Sequence, residues 1–329
     1  MSPDPFFSLD PEQICKPAPE CQKVCPWAEP PGFCGARIHP ECLRITDDGL
    51  VRVGLSVSAR AWFATLTQLG NVLHVSRNRI AALGQLGSVP DLTDWRNPVL
   101  PRDHANSFTP NLGEYAGLWA AREGSPIGVA YGLESHDVSG HAFHRAFLTS
   151  TAQRELFDSF VIDHQSPPAE AGYWFSPNHG ASVQRCHVIT NRIPLLRSRL
   201  AKGAKDARQL SNEFIPCLLA AAAAARLPIR TTHYNRALTQ AVVWTPDGHE
   251  SLSGEKRGVE FLQGEGVGLH IHLPAVGGVW LWQGQCSCCS KDHWTIEIAD
   301  ANDEIGLAVT AGDEVLEPHW RALLNDCLP

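Results

Sequence analysis

Two stretches in the last sixty residues carry side chains whose types and spacing suit chemistry. Leu269-His270-Ile271-His272 sets two imidazoles at i, i+2, which puts both on one face of a β-strand. A pair so placed can grip a metal ion or flank a flat aromatic ligand. Further on, Cys286-Ser287-Cys288-Cys289 brings three thiols together. As thiolates they suit zinc, an iron–sulfur cluster or redox exchange; as reduced, partly buried thiols they need no ligand. Five more cysteines (Cys15, Cys21, Cys25, Cys34 and Cys42) open the chain, but their C-x5-C-x3-C-x8-C-x7-C spacing matches no standard metal pattern.

The remaining histidines are less pointed. His187, beside Cys186, opens a predicted helix and reads either as a ligand or as a solvated imidazole. His179 in SPNHG falls on a loop, and His141 and His144 in HAFH alternate as ordinary surface and edge positions of a strand. Trp119, Trp280, Trp294 and Trp320 read as core. No G-x-S-x-G, P-loop, G-x-G-x-x-G or H-E-x-x-H occurs, and GEGVG (264–268) leads into a strand, so no phosphate site is expected there.

These residues need a frame, and 329 residues with 43% hydrophobic and 19% charged content provide a globular one, long enough for two domains. Net charge of -8 and a pI near 6.0 give no electrostatic case for nucleic acid or an anionic membrane. The N-terminus carries acids where a secretory signal carries bases, and the run CLLAAAAAA (217–225) is too short to span a bilayer. The expected compartment is the cytoplasm, where eleven cysteines is a high count and structural disulfides are rare.

Residues 1–48 are rich in Pro and Cys and read as an irregular extension. From Gly49 the pattern is regular. VRVGLSV alternates as a strand, SARAWFATLTQLG (58–70) is an amphipathic helix capped by Gly70, and NVLHVSRNRIAALGQLG is strand, turn, strand. The same order returns 157 residues later: SNEFIPCLLAAAAAARL (211–227) is a helix stopped by Pro228, and IRTTHYNRALTQAVVW is strand, turn, strand. Asn-Arg occupies both turns, which predicts Asn in a left-handed conformation.

Trp119 precedes Thr149 by 30 residues, and Trp280 precedes Thr310 by the same 30; ESHDVSGHAFHRAFLT (134–149) aligns ungapped on TIEIADANDEIGLAVT (295–310). Each copy closes with an amphipathic helix, striped by Leu156, Phe157, Phe160 and Val161 in one and by Trp320, Leu323, Leu324 and Cys327 in the other. Residues 186–210 read as one or two helices. The predicted class is α+β, with two tandem repeats, each an antiparallel sheet flanked by helices. The expected boundaries are an extension at 1–48, a first repeat at 49–165, a linker at 166–185 and a second repeat at 186–329.

In this order the elements resemble the two-repeat hemin-degrading factors of the HemS/ChuS type, from about Gly49 onward. LTQLGNVLHVSRN, GHAFHRAFLTSTAQRELFDSFV, LLAAAAAARLPI, Asn235-Arg236, GVGLHIHL, Val279-Trp280 and HWRALL carry the resemblance. It implies tandem halves that bind heme, with a helix His as iron ligand and basic side chains on the propionates. By alignment on Leu195-Leu196-Arg197 the ligand position falls on Thr190, with His187 one turn away on the same helix face. His187, Lys205 and His270 are therefore the expected heme-binding residues. The family's first-half Arg position falls near Thr109; Gln283-Gly284-Gln285 and AVTAGDEV stand where its second-half bases are.

The implied function is a cytoplasmic heme-binding protein of heme and iron utilisation. It would act as carrier or, with dioxygen and a redox partner, in oxidative heme degradation. The alternative is a family member without heme that uses its cysteines, Cys286, Cys288 and Cys289 among them, for zinc, iron–sulfur or redox binding, or that serves as an interaction scaffold.

Overall fold

The computed structural model describes residues 43–45, 51–89, 106–125, 128–137, 142–166, 207–252, 258–285 and 292–328. In chain order its elements begin β1 (Leu43–Ile45), β2 (Val51–Gly54), α1 (Ala59–Leu69), β3 (Val72–Arg77), β4 (Ala81–Gly87), β5 (Asn106–Pro110), β6 (Gly117–Ser125), β7 (Gly128–His136), β8 (Ala142–Leu148) and α2 (Arg154–His164). They continue β9 (Arg208–Leu210), α3 (Phe214–Ala225), β10 (Ile229–Tyr234), β11 (Leu238–Trp244), β12 (Pro246–Leu252), β13 (Val259–Gly264), β14 (Val267–His272), β15 (Val276–Gln285), β16 (Asp292–Asp300), β17 (Ile305–Ala311) and α4 (Glu317–Cys327). The class is α+β with antiparallel sheets, as the sequence predicts.

Two compact units emerge. The first comprises Met1–Val75, Leu86–Asn97 and Asn111–Cys186; the second comprises Ser76–Gln85, Pro98–Pro110 and His187–Pro329. In the first unit the strands run in the order β1-β2-β6-β7-β8-β3. Strand β1 lies inside the stretch read as irregular, pairing Leu43 with Val53 and Ile45 with Val51. Helix α1 starts at Ser58, whose hydroxyl accepts from the Ala61 amide at 3.2 Å, and stops at Gly70, where φ is 73°. It buries Trp62, Phe63, Leu66 and Leu69 against Val53, Leu55, Leu118, Leu133 and Ala146 of the sheet, and Trp62 meets Phe160 of α2.

The second unit packs one core between two sets of strands. Leu83, Leu262, Leu269 and Ile271 come from β4-β14-β13-β12; Ile229, Val242, Ile296, Ile298, Leu307 and Val309 come from β5-β11-β10-β17-β16-β15-β9. Helix α3 adds Ile215, Leu218 and Leu219, and α4 adds Trp320, Leu323 and Leu324. The Trp320 indole donates to the Trp294 carbonyl at 2.9 Å, so the closing helix is hydrogen-bonded as well as packed. Strand β9 corrects one expectation. Residues 208–210 read as helix but pair with Leu281, Trp280 and Val279 of β15, a ladder that sequence periodicity over three residues cannot show.

The two Asn turns also depart from expectation. Among the described residues only Arg226 and Asp303 take positive φ without being glycine, so neither Asn78 nor Asn235 is left-handed. Each folds its side chain over its own turn instead: Asn78 Oδ1 accepts from the Ile80 and Ala81 amides at 2.9 Å, and Asn235 Oδ1 from Ala237 at 3.1 Å and Leu238 at 2.7 Å. Their amides reach the opposite hairpin: Asn78 Nδ2 donates to Tyr234 O at 2.7 Å, and Asn235 Nδ2 to Arg77 O at 3.3 Å. Asn78 also donates to Gly306 O at 2.8 Å, an approach that requires glycine, since a Cβ there would lie 2.7 Å from Nδ2.

Strand pairing revises the repeat register by two residues. Trp119 faces Glu134 across β6–β7, and Trp280 faces Glu297 across β15–β16, so Glu134 corresponds to Glu297 where the ungapped alignment sets it on Thr295. A slip of two leaves every side chain on its original face, which is why the hydrophobic pattern gave no sign of it.

Candidate functional site

Each unit has a sheet face turned away from its core, and on both faces polar side chains are buried. In the first unit, register places Arg52, Trp119, Glu134, His136 and Arg145 on that outer face, while Val53, Ala120, Leu133 and Ala146 alternate onto the core face. Glu134 is the hub. Its Oε2 lies 2.7 Å from Arg52 Nε and 3.0 Å from His136 Nε2, and its Oε1 lies 2.8 Å from Arg145 Nε. Burial alone would raise the Glu134 carboxyl; Arg145, Arg52 and the His136 bond overcome it and hold the group well below the usual range. Burial lowers His136 against the pull of Glu134, so its neutral ring donates from Nε2 to the carboxylate.

The corresponding face of the second unit is built differently. Arg230 and Thr232 on β10, Thr310 and Ala308 on β17, Glu297 on β16 and Trp280 and Trp282 on β15 share it by register. Pairing also places Ala308 where the first unit has Arg145, and the β9–β15 register, extended by one residue, brings Ala207 to the position of Arg52. A floor of small residues around the buried Glu297 is thus flanked by two half-buried indoles, and Arg230 is its one Lys or Arg among the described residues. Such a face suits a flat apolar ring better than a multiply charged anion.

Three further histidines are wholly buried or nearly so. His74 and His144 stack with ring centroids 5.4 Å apart, and Nδ1 of the first lies 3.3 Å from Nε2 of the second, so one ring donates and the other accepts. Burial takes His74 down to about 4, against a backbone bond at Gly87, and holds His144 well below its usual range beside His74. His144 is therefore no edge residue: its strand is buried on both faces, which HAFHRAFL conceals by carrying polar residues inward. His233 lies 3.2 Å from Ala81 O through Nε2 and 3.0 Å from Ser76 Oγ through Nδ1. The carbonyl fixes the proton on Nε2, so the serine hydroxyl donates to Nδ1. That is a Ser–His pair in form, but both side chains are fully buried, and it serves the core.

His270 stands apart from the Trp280–Trp282 face. Leu269 and Ile271 point into the second unit's core, so His270 and the exposed His272 share the outer face of β14, as their spacing predicts. Phe261 on β13 is paired with His270 and meets its ring edge-on at 4.6 Å. The faces bearing His270 and Trp280 point away from the same core, so one small ligand cannot touch both. His187, Lys205, Cys286, Cys288 and Cys289 lie outside the described residues, and among the described residues no three His, Cys, Asp or Glu side chains gather as a metal site. At the second segment expected to carry bases, Asp313 Oδ1 accepts from the Leu316 amide at 2.9 Å, a turn-capping role.

No family model matches the sequence, and no curated protein does. Solved structures do. Holo-PhuS, a heme-binding protein from Pseudomonas aeruginosa, is matched with a TM-score of 0.64 at 16% identity, over 83% of this chain and 86% of that one. ChuS, a heme-degrading enzyme of Escherichia coli O157:H7, is matched with a TM-score of 0.63 at 14% identity, over 84% and 87%. A second structure of ChuS, described as an E. coli heme oxygenase, is matched over 86% and 90% with a TM-score of 0.63 and 14% identity. The chain has the HemS/ChuS fold. It is a divergent example of that fold, at 14–16% identity to these structures.

Sequence reasoning missed Arg52, His74, Glu134, His136, Arg145 and His233 as a buried polar set. A signal was present for one strand: in VLHVSR the buried positions are Val72, His74 and Ser76, so alternation counted from Val72 puts His74 inside. For Glu134 there was none, because Arg52 is 82 residues away.

Proposed function

We propose that this protein binds heme and takes part in heme and iron utilisation. The observation that supports it is the fold likeness to PhuS and ChuS over more than four-fifths of the chain. The second unit's outer face fits the ring, with Trp280 and Trp282 beside a floor of Thr and Ala around the buried Glu297. Arg230 would meet one propionate there, and Lys205 is proposed for the other. His187 is the proposed iron ligand; a neutral imidazole donates to iron, and the bound heme supplies the redox chemistry. His270, on the opposite face, would flank heme only if the ligand docks there. Carrier activity fits the chain better than ring opening, since Gln283, Gln285, Asp313 and Glu314 stand where the family resemblance implies bases. These substitutions also favour the second reading, a chain of this fold that has given up heme and acts through its cysteines or as a scaffold. The cytoplasm is the proposed compartment.

The test is hemin titration of the purified chain. The expected result is a sharp Soret band saturating near one heme per chain, lost in His187→Ala and retained in His270→Ala. Absence of the band sinks the heme reading. Loss in His270→Ala alone moves the site to the other face.

A further inference from the structure

The second unit holds two cysteines that the heme reading does not use. Cys217 sits in the first turns of α3, exposed, one helical turn from Ala221, which packs at the rim of the core. Cys327 ends α4, half-buried, and packs on the same rim. Helices α3 and α4 lie against each other, and the two free thiols, one on each helix, interact across that contact. Neither belongs to the Cys286–Cys289 cluster or to the N-terminal five.

We propose that Cys217 and Cys327 form a reversible disulfide that staples the closing helix to α3, a thiol-modification site fed by small-molecule disulfides. The exposed Cys217, as thiolate, attacks the small disulfide, forming a mixed disulfide and releasing one thiol. Cys327 then attacks the Cys217 sulfur, the protein disulfide forms, and the second small thiol leaves with the proton balance of an ordinary exchange. Two protein thiols are oxidised and one small disulfide is reduced to two thiols. The order of attack follows from the surroundings. Burial, the Cys217 thiol and Asp326 push Cys327 up to about 12, so it is the poorer first nucleophile; capping Cys217 removes the Cys217 contribution just when Cys327 must ionise.

The staple would close a loop from residue 217 to residue 327, and long loops gain most from closure because the cross-link chiefly restricts the unfolded chain. It also secures an element on which the unit depends: α4 carries Trp320 into the core and its Glu317 carboxylate accepts from the Trp294 amide at 2.7 Å.

The experiment treats the full-length protein with oxidised glutathione, blocks remaining thiols with iodoacetamide and maps linked peptides by mass spectrometry. Thermal unfolding is read in parallel on wild type, Cys217→Ser and Cys327→Ser. The expected result is a Cys217–Cys327 linked peptide that dithiothreitol removes, with a melting temperature several degrees higher when oxidised. Both serine variants, which keep the fold because neither thiol is fully buried, should lose the linked peptide and that rise. Folded wild type that yields no such peptide overturns the proposal, and so does a rise that persists in both variants. Hemin plays no part in this readout, so its outcome is independent of the heme reading.

Discussion

Neutralising Glu134 would leave Arg52 and Arg145 buried beside an amide in place of a carboxylate. The pair geometry is short on both oxygens, and such a cluster is costly to break from one side even when the intact cluster adds little net stability. Glu134→Gln should therefore lower unfolding free energy by about 3–5 kcal/mol, read from urea midpoints at constant m-value. A loss below about 1 kcal/mol would show that the arginines find other acceptors at no cost. The buried imidazoles predict an acid limb. His74 and His233 are both taken down to about 4, below the ordinary value of 6.5 that holds in the unfolded chain. The unfolded state then binds more protons between those values, so this stability is complete above about 6.5 and is lost as pH falls to about 4. Each site can contribute up to about 3 kcal/mol. In urea melts from pH 7 to pH 4, His233→Gln should flatten the slope by one site's share; an unchanged slope rules out a role for His233. Little of this was legible in HAFHRAFL or LESHD. His136 and Arg145 are near Glu134 in sequence, but Arg52, which completes the cluster, and His74, which stacks on His144, come from strands far away.

The hairpins show what a local pattern can and cannot reveal. Helix α1 was readable almost to the residue, since its cap, its stripe and its stop are all encoded within thirteen positions. The Asn-Arg turns were readable as turns, but the reason for asparagine was not. A left-handed backbone would make Asn78→Gly harmless or stabilising. The observed side-chain bonds to Ile80, Ala81, Tyr234 and Gly306 predict the reverse. Asn78→Gly should cost about 2–4 kcal/mol, since buried donors and acceptors lose their partner. Asn78→Gly and Asn235→Gly together should cost measurably less than the sum of the two, because both sit in one clasp; strict additivity in a double-mutant cycle would show the two turns to be independent. The repeat itself was legible, whereas its register was not, for the reason that a two-residue slip is silent in a strand.

At the scale of the whole molecule, the fold of PhuS and ChuS recurs here at only 14–16% identity. Fold is set by alternation and core volume, which tolerate wide substitution, whereas a ligand site is set by a few charges that do not. On the proposed heme reading, the second unit's face should hold the ring by contact with Trp280 and Trp282 and depend little on carboxylate pairing. Arg230 is the discriminating residue, as the one Lys or Arg on that face among the described residues. Arg230→Gln should weaken hemin about 3- to 10-fold, the range of a partly exposed charge-assisted bond, or about 0.7–1.4 kcal/mol. Hemin dimethyl ester, which lacks the carboxylates, should bind wild type and Arg230→Gln alike, while Trp282→Ala should weaken both ligands. If Arg230→Gln instead abolishes hemin binding, the propionates dominate recognition after all and the indole face is secondary. If the variant leaves hemin affinity unchanged while Trp282→Ala reduces it, the ring alone is read, and the carboxylates lie away from Arg230.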